Sequence, residues 1–185
     1  HYYDMKVIVP GKTLSEVSKS LSGYNEKEVL IYFSENHILF EFDNTVVISR
    51  LIEGDYFRIS QMLSSDYETK VTINKKEFLD SIERATILIR ENDKKPLIIN
   101  ITEHTMELKL NSSFGSMNAE LFIHKTGKDI MIGFNPKFLI DALRAIDGEE
   151  ISIYLMNPKS PCFIKDDEET YIYLILPVTF NAAAV

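Results

Sequence analysis

A short β-like run closing on Pro or Asn, followed at once by a Lys-bearing amphipathic stretch, occurs three times in this chain. It stands at Lys6–Leu14 (KVIVPGKTL), at Lys70–Leu79 (KVTINKKEFL) and at Ile130–Leu139 (IMIGFNPKFL). The runs start at Val7, Val71 and Ile130, spacings of 64 and 59 residues, which marks an internal repeat of one supersecondary unit. Each helical stretch carries one apolar stripe at a 3.6-residue period. The stripes are Leu14, Val17 and Leu21; Phe78, Leu79, Ile82 and Ala85; and Leu139, Ala142, Leu143 and Ile146. Ser22-Gly23 and Asp147-Gly148 supply stop signals, and Pro136 suits a first helical turn, where no backbone donor is needed.

Three strand-like runs follow each helix. They are Val29–Ser34, Ile38–Asp43 and Val46–Ile52; then Leu97–Thr102, Met106–Asn111 and Met117–Ile123; then Ile151–Met156, Cys162–Lys165 and Tyr171–Val178. Met106 to Leu110 alternates strictly between apolar and polar, which predicts a sheet with one buried and one wet face. Each repeat therefore reads β-α-β-β-β, and the chain belongs to the α+β class, with helices on one face of antiparallel sheets. Residues 53–69 carry no period and read as a connector. Residues 70–178 would form one two-unit domain, and residues 6–52 half of another whose other half lies upstream. A lone unit leaves a sheet edge and a helix stripe uncovered.

Composition restricts the function classes. A chain of 185 residues with 45% hydrophobic and 11% aromatic residues can bury a core, so disorder is excluded. Apolar runs such as Val46–Ile48 fall far short of the roughly 20 residues of a membrane span, and no secretory signal opens the chain. A start at His1 rather than Met reads as a processed or shortened piece. One cysteine, Cys162, fits a reducing cytoplasm better than a secreted setting. The net charge of -8 argues against a binder of nucleic acid over its whole surface, though not against a local basic face.

Catalytic motifs are missing from the pattern. There is no phosphate loop or dinucleotide fingerprint, and His1, His37, His104 and His124 stand apart without ligand spacing. Asp166-Asp167-Glu168-Glu169 could hold a divalent ion, which keeps open a carboxylate-metal enzyme, but a solvated turn explains it more simply. Cys162 reads as a small core residue. No enzyme activity, metal or cofactor is expected.

Two features point to binding. Basic residues recur on the helices: Lys12 and Lys19; Lys75, Lys76 and Arg84; Lys137 and Arg144. A solvated face accounts for any one helix, whereas three aimed at one polyanion would grip a duplex backbone without reading sequence. Glu16, Asp80, Glu83 and Asp141 dilute that charge, so the grip would be weak and mobile. The second feature is the run Tyr171–Phe180, where Pro177 ends strand pairing and leaves Leu176, Val178 and Phe180 near the chain end. It is either the last core strand or the wall of a groove for a peptide with apolar anchors. A structural repeat module with no DNA contact stays open as well.

Together these residues resemble the bacterial DNA polymerase III β subunit family, the replicative sliding clamps. The resemblance runs from Val7 to Phe180 and rests on Val7–Pro10, Leu51–Phe57 with Gln61–Leu63, Gly133–Asn135 and Tyr173–Val178. It implies the DNA clamp fold, with residues 1–58 as the second half of a middle domain, 59–69 as a connector and 70–185 as a complete last domain. It implies a processivity factor whose helices line a hole around duplex DNA, with Lys12, Lys19, Lys75, Lys76, Arg84, Lys137 and Arg144 among the channel residues. It implies a pocket for a short Gln- and Leu/Phe-containing motif of the replicative polymerase, the clamp loader and repair proteins. Matching pocket positions are Phe57, Gln61, Met62, Asn135, Phe138, Leu174, Leu176, Pro177 and Val178. Ile87 and Leu88 match a pair at the subunit junction used by the loader. Gln61 stands where some members have an arginine, Thr179 where a basic residue often sits, and residues 181–185 extend past the usual end. The family's ring is a head-to-tail homodimer pairing a last domain with a first domain, so this chain alone is not expected to close one.

Overall fold

A computed structural model describes residues 6–22, 28–56, 66–90 and 95–181, and the chain divides into two compact units, 1–63 and 64–185. In the first, helix α1 (Gly11–Leu21) precedes an antiparallel meander of β1 (Leu30–Phe33), β2 (His37–Phe42) and β3 (Thr45–Arg50). Pro10 precedes the helix and accepts the Thr13 N–H at 2.9 Å, and Lys19 sits in the last turn, where a cation suits the macrodipole. Val17 packs on Ile38, Phe40 and Phe42, which alternate inward along β2. Leu14, on the predicted stripe, is 49% exposed, and all four residues of β1 are exposed. Gly23 lies outside the described residues.

The expected first strand of this unit reduces to a single bridge, Ile8 to Ile52. The second unit supplies the physical reason. Its elements run β4 (Thr69–Asn74), α2 (Lys75–Thr86), β5 (Leu97–Thr102), β6 (Thr105–Ser112), β7 (Gly115–Phe122), β8 (His124–Gly127), β9 (Ile130–Phe134), α3 (Pro136–Ala145), β10 (Glu150–Leu155), β11 (Cys162–Lys165) and β12 (Ile172–Ile175). They build two antiparallel sheets, ordered β12-β11-β10-β4-β8 and β7-β6-β5-β9. The strand that opens each repeat is thus given away to the other repeat. β4 lies on β10, from Thr69 opposite Leu155 to Asn74 opposite Glu150, and β9 lies on β5, from Ile130 opposite Ile101 to Phe134 opposite Leu97. Among its described residues the first unit holds one repeat, with no second one to exchange strands with.

Helices α2 and α3 pack on each other and on the inner faces of the sheets. The predicted stripes face the core: Phe78, Ile82 and Ala85 of α2 are buried and Leu79 is half-buried against them, and Leu139, Ala142, Leu143 and then Ile146 at α3 are buried. Met106, Leu108 and Leu110 of β6 are fully buried, while Glu107 and Lys109 between them are not. Asn74 and Asn135 cap the helices by accepting the N–H of Glu77 and of Lys137, both at 3.0 Å. Strand β8 has no counterpart in the sequence reading. It pairs with β4 and ends at Gly127, whose φ of +94° and whose approach to Glu68 leave no place for a side chain. An added Cβ would stand 1.8 Å from the Glu68 carbonyl oxygen. Gly127→Ala is therefore expected to destabilise the protein by about 2–3 kcal/mol or more, read from the denaturant midpoint; an unchanged midpoint would contradict this account of β8.

Candidate functional site

The helix cations differ sharply in what they do. Lys19 pairs with Glu16 at 3.0 Å and Lys76 with Asp80 at 2.8 Å, both along one helix. Arg144 sends Nε and Nη2 to Glu83 Oε1 at 3.1 and 2.8 Å, bridging α3 to α2. Arg84 donates to Ser81 Oγ at 2.8 Å. Lys75, half-buried, donates from Nζ to the Ile146 carbonyl at 2.5 Å, at the C-terminal end of α3 where backbone oxygens lack intrahelical partners. Lys75 thus fastens the start of α2 to the end of α3. Lys12 and Lys137 are exposed and have no acidic partner among the described residues.

The predicted pocket residues separate into two places within the second unit. Phe138 on α3 and Leu174 and Leu176 at β12 line an apolar groove of about 360 Å³, completed by Asp141, Ala142, Tyr173 and Ile175. Leu176 is 58% exposed, so the groove has an apolar lip. Asn135 and Val178 line a larger cavity of about 1140 Å³ on another side of α3, together with Arg84, Ile87, Lys137 and Arg144. Pro177, half-buried, joins the two, and β12 ends at Ile175, shorter than the strand expected to Val178. Phe57, Gln61 and Met62 lie outside the described residues, as do His1 and residues 182–185. Ile87 and Leu88 follow α2; Ile87 is 81% exposed, whereas Leu88 packs against the core.

Residues 60–179 match the model of the C-terminal domain of the DNA polymerase III beta subunit, and residues 2–57 match that of its central domain. The chain belongs to the DNA polymerase III beta subunit family. It is 34% identical over 175 residues to the beta sliding clamp of Staphylococcus aureus, covering 93% of this chain and 46% of that protein. Among solved structures it is similar to one assigned as a DNA polymerase III beta subunit from Eubacterium rectale, with 65% identity and a TM-score of 0.83 over 98% of this chain and 50% of the other. It is also similar to the DNA polymerase sliding clamp of Bacillus subtilis, with 31% identity and a TM-score of 0.79 over 96% and 49% of the two chains. The chain spans about half the length of these relatives.

Within this member of the beta family the acidic run does not gather around one point. Asp166 accepts from the Thr170 amide at 2.7 Å and from its hydroxyl, Asp167 accepts from Lys70 and Tyr154 at 3.1 Å each, and Glu169 pairs with Lys165 at 2.5 Å. The Thr170 hydroxyl holds the Asp166 carboxyl below its ordinary pKa, and the Lys70 ammonium followed by the Tyr154 hydroxyl does the same for Asp167. Among the described residues no group of His, Cys, Asp and Glu could hold a metal ion. Burial pushes the Cys162 thiol up to about 12, which leaves it protonated and unreactive at neutral pH. His37, His104 and His124 are exposed, and no described helix is long and apolar enough to cross a membrane.

Sequence reasoning missed Tyr173 and Ile175 in the groove and the fastening role of Lys75. Alternation along β12 would have marked the first two as members of the same strand end. Nothing in a linear sequence signals that a lysine at one helix start reaches the carbonyl 71 residues away. Lys75→Met is expected to lower stability by about 1–2 kcal/mol in urea unfolding, with no measurable change for Lys76→Met on the exposed face. Equal effects at the two positions would remove the distinction.

Proposed function

We propose that this chain is the part of a sliding clamp that spans the second half of the middle domain (1–58), a connector (59–69) and the complete last domain (70–185). In this reading the whole protein encircles duplex DNA without reading its sequence and tethers the replicative polymerase to it. The observation that carries the reading is the apolar groove of Phe138, Leu174 and Leu176, open at its lip in a chain of this family. A volume of about 360 Å³ suits one or two leucine- or phenylalanine-sized anchors, each contributing roughly 1.5–3 kcal/mol before the costs of binding. Such affinity suits partners that exchange, which favours a short Gln- and Leu/Phe-containing motif carried by polymerase, clamp loader and repair proteins.

In the second unit the DNA-facing helices are α2 and α3, with Lys137 as the cation best placed to meet phosphate, Arg84 beside the Ser81 hydroxyl, and Lys76 and Arg144 partly neutralised by carboxylates; in the first unit it is α1, with Lys12 exposed and Lys19 paired to Glu16. Subunits of the full-length protein pair head to tail as a homodimer. In support, β7 is a sheet edge on which Phe122 is 82% exposed, and Arg90 stacks over Phe114 of the β6–β7 turn at 4.4 Å. Leu88, whose Cδ2 would lie 3.8 Å from a Cβ at Gly115 of β7, and its exposed neighbour Ile87 are the junction pair in this proposal. The chain acts by binding and not by catalysis, in the cytoplasm.

Two measurements test this. A synthetic peptide with Gln, Leu and Phe anchors should perturb signals of Leu174 and Leu176, and Leu176→Lys should abolish the effect; a flat titration would remove the pocket. In the full-length protein, Lys12→Glu with Lys137→Glu should shorten the product made per binding event on primed DNA. The slope of DNA affinity against salt should fall by about 1 for each phosphate left without its cation, and unchanged products at moderate salt would count against the channel.

A further inference from the structure

Beyond β12 the chain leaves the edge of the five-stranded sheet and crosses to β9, the edge of the four-stranded one. There the Val178 amide donates to the Gly133 carbonyl at 2.8 Å, and the Phe180 ring lies over Gly133. We propose that Gly133 is a positioning residue for the peptide groove: its bare Cα lets this C-terminal strap lie flat on β9, and the strap holds Leu176 at the lip. The proposal rests on the groove reading given above and assigns to it a residue that no groove contact includes.

Space, not backbone conformation, is what demands glycine here, because the φ of Gly133 is not in the left-handed region. A Cβ at this position would stand 2.7 Å from Phe180 Cδ1 and 3.0 Å from the Val178 carbonyl oxygen. Carbon atoms in good contact sit about 3.5–4.0 Å apart. The ring can turn aside, but the carbonyl belongs to the backbone, and only a shift of the strap relieves it. β9 cannot retreat instead, since Ile132 and Phe134 on either side of Gly133 are fully buried in the core. The shift then reaches Leu176 through Pro177, whose locked φ makes the link stiff. At its other end Leu176 follows Ile175, which is buried. A displacement at Val178 therefore falls on the lip of the groove.

The test compares wild type, Gly133→Ala, Phe180→Ala and the double variant in the full chain. Affinity is measured by anisotropy with a labelled Gln/Leu/Phe peptide, alongside melting temperature and hydrogen exchange at the Val178 amide. Gly133→Ala is expected to weaken the peptide about tenfold, the loss of part of one anchor, to speed exchange at Val178 and to leave the melting temperature little changed. Adding Gly133→Ala to Phe180→Ala should cost less than adding it to wild type, because a strap that has lost its Phe180 anchor is already loosened and has less of its hold on Leu176 left to lose. Wild-type affinity in Gly133→Ala, additive losses, or weaker binding with Val178 exchange unchanged would each overturn the proposal. If the wild-type chain itself ignores the peptide, the groove reading fails and this role with it. That result is distinct from equal binding by wild type and Gly133→Ala, which defeats the Gly133 role alone.

Discussion

Neither repeat of the second unit can complete its own sheet, and this constraint shapes everything built on it. β4 gives six residues of ladder to β10, and β9 gives five to β5. Each exchanged strand is continuous with the helix that follows it. The trade therefore draws α2 and α3 into one layer over both sheets, where Phe78, Ile82, Leu139 and Leu143 share a single core. The Lys75 bond to Ile146 and the Arg144 bond to Glu83 then tie the helices together at their surface. Because the two sheets are interlocked through their first strands, the C-terminal strap has two fixed edges to span, which is why its few residues can be held in place at all.

Among the described residues the first unit holds one copy of the module. Its opening run there makes the Ile8–Ile52 bridge, and β1 presents Leu30, Ile31, Tyr32 and Phe33 to solvent at the corresponding edge. In the second unit the equivalent edges, those of β5 and β10, are covered by exchanged strands. An apolar edge strand is a site of pairing and aggregation unless something covers it. By analogy with the second unit, the exposed side chains of β1 mark an edge of the kind that an exchanged strand covers.

What was legible in the sequence was what repeats at a fixed period. The 3.6-residue stripes of α2 and α3 and the alternation of β6 appear in the structure as read, because each is set by local geometry and one buried face. The exchange of β4 and β9 was not legible, since a strand looks the same whichever sheet it joins. β8 was missed because His124–Gly127 is short and polar, and its pairing follows from Gly127 fitting against Glu68 and not from an apolar pattern. Pro177 did announce the end of pairing near the C-terminus, while the split of Asn135 and Val178 from Phe138, Leu174 and Leu176 depends on which side of α3 the strap crosses. The role of Gly133 was hidden for a related reason: the two atoms it accommodates lie more than forty residues further along the chain.

The arrangement of charge on the helices bears on the DNA contact proposed above. Affinity for B-DNA falls with salt with a slope of about 0.9 per neutralised phosphate. A grip on seven phosphates would weaken more than about a thousandfold between 50 and 200 mM salt, whereas a grip on two would weaken about tenfold. Among the seven helix cations, Lys75 is committed to Ile146, and Lys19, Lys76 and Arg144 already face carboxylates at 2.8–3.0 Å. Exposed pairs of that kind are worth little and can be traded for phosphate, so they soften the grip without abolishing it. In the reading proposed above, helices with few unpaired cations among the described residues would grip an enclosed duplex loosely and let it slide, and retention would come from closure of the ring.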